Sequence, residues 1–527
     1  MLPIEPPAVS QRTMTNHFVA LGETRQFSPI FLDYLQNKST LAPFFGRYPT
    51  LENFEAQIEA RAATPAYRDV LYQTLTRQYE SVANHPDLSV LKEANTFTVT
   101  TGHQLNIFTG PLYVIYKLIT TINLAKALRA RYPQYRFVPV YWMATEDHDL
   151  AEINHFYLFG KKYEWQTSQT GAVGRMTTQD LAPLLQELPE KIGLFENAYL
   201  HHHTLAEATR CVANELFGHE GLVCVDADDR ELKALFKEVM RDDLTHHSAF
   251  ELVKKSSQQI EALGYKTQVN AREINFFYLD DHRRERIVRE DGGYKVLNTD
   301  LSFSEAEILN LIEREPQKFS PNVILRPLYQ ETVLPNLAYV GGPAEVSYWM
   351  QLKDLFDHHQ FPYPVVMPRN FALVVNKASA KRIQKLNLSD EALFLDEANL
   401  KRSFLDKNTE AVGLEEETVA FGQVFDRVLK KAVALDKSLE GLVLAEKQKL
   451  LKSVESLDKR LRKAQEGSQE TEINQLMGLK AKLFPNGGLQ ERTDNYLNFA
   501  LNNPDFLHQV QEIFDPFNFQ FHLLTEE

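Results

Sequence analysis

The chain has 527 residues, 43% of them apolar, and a formal net charge of −14. That length exceeds what a single hydrophobic core usually holds, so more than one domain is expected. The charge argues against nonspecific nucleic-acid binding, which needs a basic surface to neutralise phosphates, and no apolar run reaches the length of a membrane span.

The first residues, Met1-Leu-Pro-Ile-Glu-Pro-Pro7, lack a basic segment followed by an apolar one, so no secretory signal is expected. Cys211 and Cys224 are the only cysteines, too few for a disulfide framework. A cytoplasmic protein with no nucleic-acid and no membrane partner is the consistent reading. Residues 1–90 read as helical support. Pro29 opens a helix whose Ile30, Phe31, Tyr34 and Leu35 share a face, a second helix begins after Pro49 with Thr50 as cap, and Tyr67, Val70, Leu71 and Leu75 mark a third.

The β-branched run from Phe97 to Thr101 predicts a strand that ends in Gly102-His103-Gln104. A helix is expected to open at Pro111 with Gly110 as N-cap, because the first helical position has no use for the N–H that proline lacks. Leu112, Ile115, Ile119 and Ile122 give that helix one apolar face. The second strand, Phe137 to Met143, is apolar nearly throughout, as strands covered on both faces are. The chain then turns abruptly polar at Glu146, Asp147, His148 and Asp149. Strand, helix and strand in this order make a right-handed βαβ unit. Both polar clusters then fall at the carboxyl ends of parallel strands, where open α/β sheets bind ligands. The active site is expected there.

Residues 152–203 are irregular and read as an insertion. A helix from Thr204 to Phe217 leads to a third strand, Gly221 to Asp226, with Cys224 inside it as an inert buried thiol. Asp226, Asp228 and Asp229 follow at its end. His201, His202 and His203 look like a metal tract, but consecutive residues point in different directions, so a solvated loop is the reading. Helices fill 230–263. Residues 264–322 alternate in short runs around a turn at Asp291-Gly292-Gly293 and read as a β-rich second insertion. Leu337 to Val340 is the fourth strand and Gly341-Gly342-Pro343 a tight turn. Glu345 lies in the first turn of the following helix, where the dipole stabilises a carboxylate. Tyr363 to Met367, closed by Pro368-Arg369-Asn370, is the fifth strand. The parallel-sheet core is assigned to residues 1–390.

From about Glu391 the composition shifts to charged and long apolar residues. Val428, Ala432, Leu435, Leu439 and Leu442, then Leu450, Val454, Leu457 and Leu461, recur in steps of four and three. Gln465 to Gln469 is read as the turn, and Ile473, Leu476 and Leu483 as the return, so residues 391–484 form an antiparallel coiled coil through which a homodimer is expected. Residues 485–527 are expected to pack back on the core. Asn486, Gln490, Arg492 and Asn495 crowd a turn in which Gly487-Gly488 exposes backbone N–H groups to an anion. Arg369 and Asn370 approach that turn from the core.

Neither G-x-x-x-x-G-K-[ST] nor G-x-G-x-x-G occurs. The acidic junction suits a divalent metal or a substrate ammonium group, and no metal ligand is assigned. A nucleotidyl-transferring or metal-dependent hydrolytic enzyme on the same sheet, and a non-catalytic dimeric scaffold, are the other readings. The blocks Thr101 to Lys117, Ala144 to Asp149 with Glu152 to His155, Arg326 to Gln330, Val340 to Glu345 and Phe484 to Arg492 together resemble the bacillithiol biosynthesis cysteine-adding enzymes.

That resemblance implies a Rossmann-like core with two connecting insertions and a dimerising coiled coil. It implies an amide-forming carbon–nitrogen ligase that adds cysteine to glucosaminyl-malate. It also implies ATP or ADP as the nucleotide, with a site near the coiled coil; whether a metal is needed is left open. His103, His148 and Asp147 are then the catalytic candidates, since a histidine base works best when its pKa lies near working pH. Gly102, Gln104, Asn106, Glu146, Asp149, Asn154, Arg326 and Glu345 are assigned to the substrates, the carboxylates for ammonium groups and the arginine for malate. Arg369, Asn370, Asn486, Gln490, Arg492 and Asn495 are assigned to the nucleotide.

Overall fold

The structure, a computed structural model, describes residues 13–408 and 413–527. The chain divides into two compact units, the first built from residues through Gly22, Gln26–Leu373 and Gly488–Leu524, the second from Glu23–Arg25, Val374–Gly487 and Thr525–Glu527. The second unit therefore opens ahead of the compositional change near Glu391, and the segment after Gly487 belongs to the first.

Five parallel strands organise the first unit: β1 Thr96–His103, β2 Arg136–Met143, β3 Val223–Asp226, β4 Asn336–Gly341 and β5 Val365–Pro368. Their spatial order is β5-β4-β1-β2-β3, with Phe97 opposite Phe137, Tyr141 opposite Cys224 and Val340 opposite Met367. The chain starts at the centre, builds outward through β2 and β3, and then returns to the other side of β1 for β4 and β5. This reversal makes a doubly wound, Rossmann-like sheet, and it puts the topological switch point between β1 and β4.

β1 is buried from Thr96 to Gly102. Phe97, Val99, Leu124, Leu128, Phe137, Leu337, Val340 and Met367 share one core cluster, each large side chain contributing about 1.5–3 kcal/mol by leaving water. The buried threonines of β1 are satisfied rather than stranded. Thr98 and Thr100 both donate to Asn336 Oδ1 (3.1 and 2.8 Å), and Thr101 donates to the Val340 carbonyl (2.8 Å).

The helix after β1, α1, spans Tyr113–Arg131 and opens after Leu112, not at Pro111. Gly110 (φ 63°) instead closes a short turn in which Phe108 and Thr109 are left-handed. The reason lies far along the chain: Leu112 N donates to the Asp494 carbonyl (2.8 Å), and Asn495 Nδ2 donates to the Phe108 and Gly110 carbonyls (2.7 Å each). Tertiary bonds override the local proline signal.

The N-terminal helices are Pro29–Leu35, Asn53–Ala62 and Arg68–Gln78, with Glu52 rather than Thr50 preceding the second, and a strand Met14–Val19 precedes them all. The first insertion holds a hairpin, His155–Leu158 with Lys161–Glu164, and short helices including Gly193–His201, so His201 ends a helix. The second insertion is a five-stranded antiparallel sheet that includes Phe276–Leu279, Arg284–Glu290 and Phe319–Pro321. After β4 the helix α2, Pro343–Trp349, starts at the proline.

In the second unit, α3 Glu415–Leu435 and α4 Glu440–Ser468 run antiparallel, since Arg462 pairs with Glu415 and Lys447 with Asp426. Their turn is at Asp436–Leu439, not at Gln465–Gln469. Asp436 leaves helical dihedrals (φ −157°, ψ 118°), and its carboxylate accepts from Ser438 N at 2.8 Å. The apolar spacing of Leu435, Leu439 and Leu442 continues straight through this turn and conceals it. α5, Glu470–Leu483, follows α4 after a break at Gln469. Among the described residues no helix is long and apolar enough to cross a membrane.

Candidate active site

The carboxyl ends of β1 and β4 open onto a cleft of about 550 Å³. β1 supplies Gly102, His103 and Gln104, and the junction after β2 supplies Glu146 and Asp147. The second insertion adds Arg284, the segment before β4 adds Arg326, and the turn into α2 adds Gly342 and Glu345. Arg369 and Arg492 complete the lining.

Its floor is an ion pair that residue spacing does not reveal. Lys117 in α1 is 1% exposed; its Nζ donates to the Gly102 carbonyl (2.5 Å) and to both Glu345 oxygens (3.0 and 2.8 Å). Tyr339 Oη (2.5 Å) and Gly342 N (2.8 Å) also donate to Glu345. Burial alone would raise the Glu345 pKa, but the Lys117 ammonium and these hydrogen bonds outweigh it and hold the carboxylate below its usual range. Glu345 therefore ties β1, α1 and β4 together, and its oxygens are already taken by these donors. The one sequence signal for Lys117 was a lysine within an apolar helix.

The cations around the cleft differ in what they have to spare. Arg326 Nη1 donates to Gln330 (3.1 Å), its guanidinium lies 5.4 Å from the Tyr339 ring, and its Nη2 is enclosed without a partner. Arg492 lies 5.8 Å from the Tyr113 ring and pairs with no carboxylate among the described residues. Arg284 is largely committed. It donates to Ser320 Oγ (2.9 Å) and the Pro321 carbonyl (3.0 Å), and its Nη1 stands 3.1 Å from His148 Nδ1 and 3.7 Å from Asp147. Arg369 is buried and forms a two-pronged pair with Glu491 (2.6 and 3.1 Å).

The two histidines sit in opposite surroundings. His103 Nε2 lies 3.0 Å from Asn106 Nδ2, and its ring meets Tyr113 edge-on at 5.3 Å. Burial, with the Lys117 and Arg369 cations, brings its pKa down to about 3. Such an imidazole is neutral at neutral pH. His148 is 46% exposed and does not itself line the cleft; it stands beside Asp147, which accepts from His148 N (2.8 Å) and from Gln104 Nε2 (3.4 Å).

Glu146 is buried against Lys233 (2.6 Å), whose ammonium also meets Asp228 (3.0 Å), and burial raises its pKa. The acidic junction is thus ion-paired, and the carboxylates there are not gathered at metal-ligand spacing among the described residues. Asp149 is exposed, and Asn154 Oδ1 faces His155 Nδ1 at 3.1 Å; neither lines the cleft. Asn106 belongs to an adjoining recess with Glu152 and Arg492.

The residues assigned to a nucleotide have partners within the protein in several cases. Asn495 and Asn370 spend their amides on backbone carbonyls, those of Phe108 and Gly110 and that of Asp515 (2.8 Å). Arg369 is held by Glu491, Gln490 is buried, and Asn486 belongs to the second unit. Of the set, Arg369 and Arg492 line the cleft, and Arg492 pairs with no carboxylate among the described residues.

Residues 14–370 match a family model described as Bacillithiol biosynthesis BshC, N-terminal Rossmann-like domain. Residues 372–526 match Bacillithiol biosynthesis BshC, C-terminal coiled-coil domain. The chain is 42% identical over 517 residues to a protein of Flavobacterium johnsoniae, covering 95% of this chain and 97% of that one. It is 40% identical over 514 residues to one of Cytophaga hutchinsonii (97% and 98%), and 31% identical over 504 residues to one of Salinibacter ruber (90% and 91%). All three bear the name "Putative cysteine ligase BshC".

Proposed function

The chain belongs to the bacillithiol biosynthesis BshC family, and we propose that it is an amide-forming ligase that adds cysteine to glucosaminyl-malate in the switch-point cleft. The observation that carries this reading is the division of charge across one cleft. Arg326 and Arg492 have guanidinium donors to spare, and guanidinium matches carboxylate in forked pairs, which suits the two carboxylates of malate. Asp147 presents a half-buried carboxylate to the same cleft and suits the amine of the glucosaminyl group.

In the reaction, the amine nitrogen attacks the activated carboxyl carbon of cysteine. A C–N bond forms, the bond to the activating group breaks, and the nitrogen gives up a proton. Proton removal is assigned to His148, beside Asp147, once its ring turns away from Arg284, whose Nη1 donates to Nδ1 and occupies that lone pair; neutral His103, next to Asn106, orients substrate instead. ATP is part of the proposal as the activating co-substrate, and no step is assigned to it. Dimerisation through the second unit is supported by its exposed apolar residues, and a cytoplasmic setting by two unpaired, buried cysteines.

Incubating the purified protein with glucosaminyl-malate, cysteine and ATP tests the activity. The expected product is a thiol whose mass is the sum of both substrates less water. No such product, with or without nucleotide, rejects the reading.

A further inference from the structure

Away from the cleft, three metal-ligating side chains converge within the first unit. Asp242 comes from the helix Lys237–Thr245, and His358 and His359 from the end of the helix Lys353–His358. None of them lines the cleft. Their ligand atoms all lie within 4.8 Å of one another. Asp242 Oδ2 stands 3.8 Å from His358 Nε2 and 3.6 Å from His359 Nε2. Those gaps are too long for hydrogen bonds. They are close to the edge, about 3.4 Å, of a tetrahedron centred on an ion about 2.1 Å from each ligand.

Two further observations point to a ligand in the gap. His359 Nε2 is enclosed and makes no hydrogen bond, a state that folded proteins rarely leave uncompensated. Asp242 Oδ1 accepts from Ser248 Oγ (2.9 Å), which leaves Oδ2 facing the histidines, as outer hydrogen bonds orient metal-binding carboxylates. Neighbouring residues usually diverge, but His358 closes its helix and His359 follows at the C-cap (φ −86°, ψ 6°), and their ring centroids are 4.8 Å apart. His246, one turn beyond Asp242, has its Nδ1 3.5 Å from Asp242 Oδ1 and 3.1 Å from Thr245 Oγ1.

We propose that Asp242, His358 and His359 bind a divalent transition-metal ion of the zinc type, with a fourth position left to water or His246. Two imidazoles and a carboxylate suit zinc, whereas calcium and magnesium take oxygen ligands. The ion joins two helices far apart in sequence, so its role is structural.

Tag-free full-length protein, stripped with a chelator and dialysed, is titrated with Co²⁺, whose visible absorption reports tetrahedral coordination, and then with Zn²⁺. One Co²⁺ per chain is expected, displaced by Zn²⁺, with the melting temperature raised by either ion. His358→Ala, at a position whose side chain is 43% exposed, and Asp242→Asn should each weaken binding at least tenfold and remove the melting shift. Replacing His201 and His203 with Asn should leave binding intact. No Co²⁺ band in the parent protein overturns the site. Unchanged affinity in His358→Ala, or loss of binding when the His201–His203 tract is altered, also overturns it.

Discussion

Under the proposed function Arg326 bears most directly on substrate, because it lines the cleft and its Nη2 makes no hydrogen bond. A hydrogen bond to a charged group contributes about 1.5–3 kcal/mol, so Arg326→Ala should raise KM for glucosaminyl-malate roughly 10- to 100-fold. Arg326→Lys should recover little, since an ammonium cannot fork; steady-state kinetics read both. His103 makes a prediction about pH. Its folded pKa of about 3 lies below the ordinary 6.5, so between those values the unfolded chain binds a proton that the folded chain does not. The stability due to its neutral ring is complete above pH 6.5 and falls as the pH drops toward 3. His103→Gln should therefore lose less melting temperature than the parent when the pH is lowered from about 6.5 to about 4.5. Equal acid sensitivity would refute the assignment. The residue types of both junctions were legible in the sequence; their protonation was not. His103 is depressed by burial and by Lys117 and Arg369, cations that only folding brings to it.

At the scale of elements, the segment Gly488–Leu524 is clamped into the first unit. Arg369 and Glu491 form a pair almost fully removed from water, and Asn495 holds the turn that precedes α1. Removing one partner of a buried pair leaves the other charged and unpaired, at a cost of about 3–5 kcal/mol. Glu491→Ala should lower the denaturation midpoint of the first unit accordingly, measured by circular dichroism in urea; an unchanged midpoint contradicts the clamp. The five strands of the core were readable because each is a short, buried, β-branched or apolar run. The start of α1 and the turn at Asp436 were not. Asp494 and Asn495 set the first, and continuous apolar spacing hid the second. The same clamp uses Arg369 and Asn495 of the set expected at a nucleotide, and in sequence such residues look the same whether they stitch a segment down or hold a ligand.

On the scale of the whole molecule, α3 and α4 leave Val424, Val428, Leu442 and Leu457 exposed at 42%, 44%, 60% and 53%. An apolar surface of this kind on a helical pair favours a second copy. Light scattering should find two chains per particle, and Val424→Glu with Val428→Glu, one turn apart on a single face, should give single chains of unchanged helicity. A parent protein that runs as single chains at micromolar concentration would contradict it. The blocks that carry the family resemblance are spread along the chain because the cleft draws on β1, β2, β4 and segments beyond them. The division of charge across it exists only once the sheet reverses. The central claim is that the malate-bearing substrate binds at this switch point, and a crystal structure with glucosaminyl-malate tests it most directly. The account predicts its carboxylates within hydrogen-bond distance of Arg326 and Arg492, with the amine toward Asp147. Substrate bound elsewhere, with the cleft empty, would contradict it.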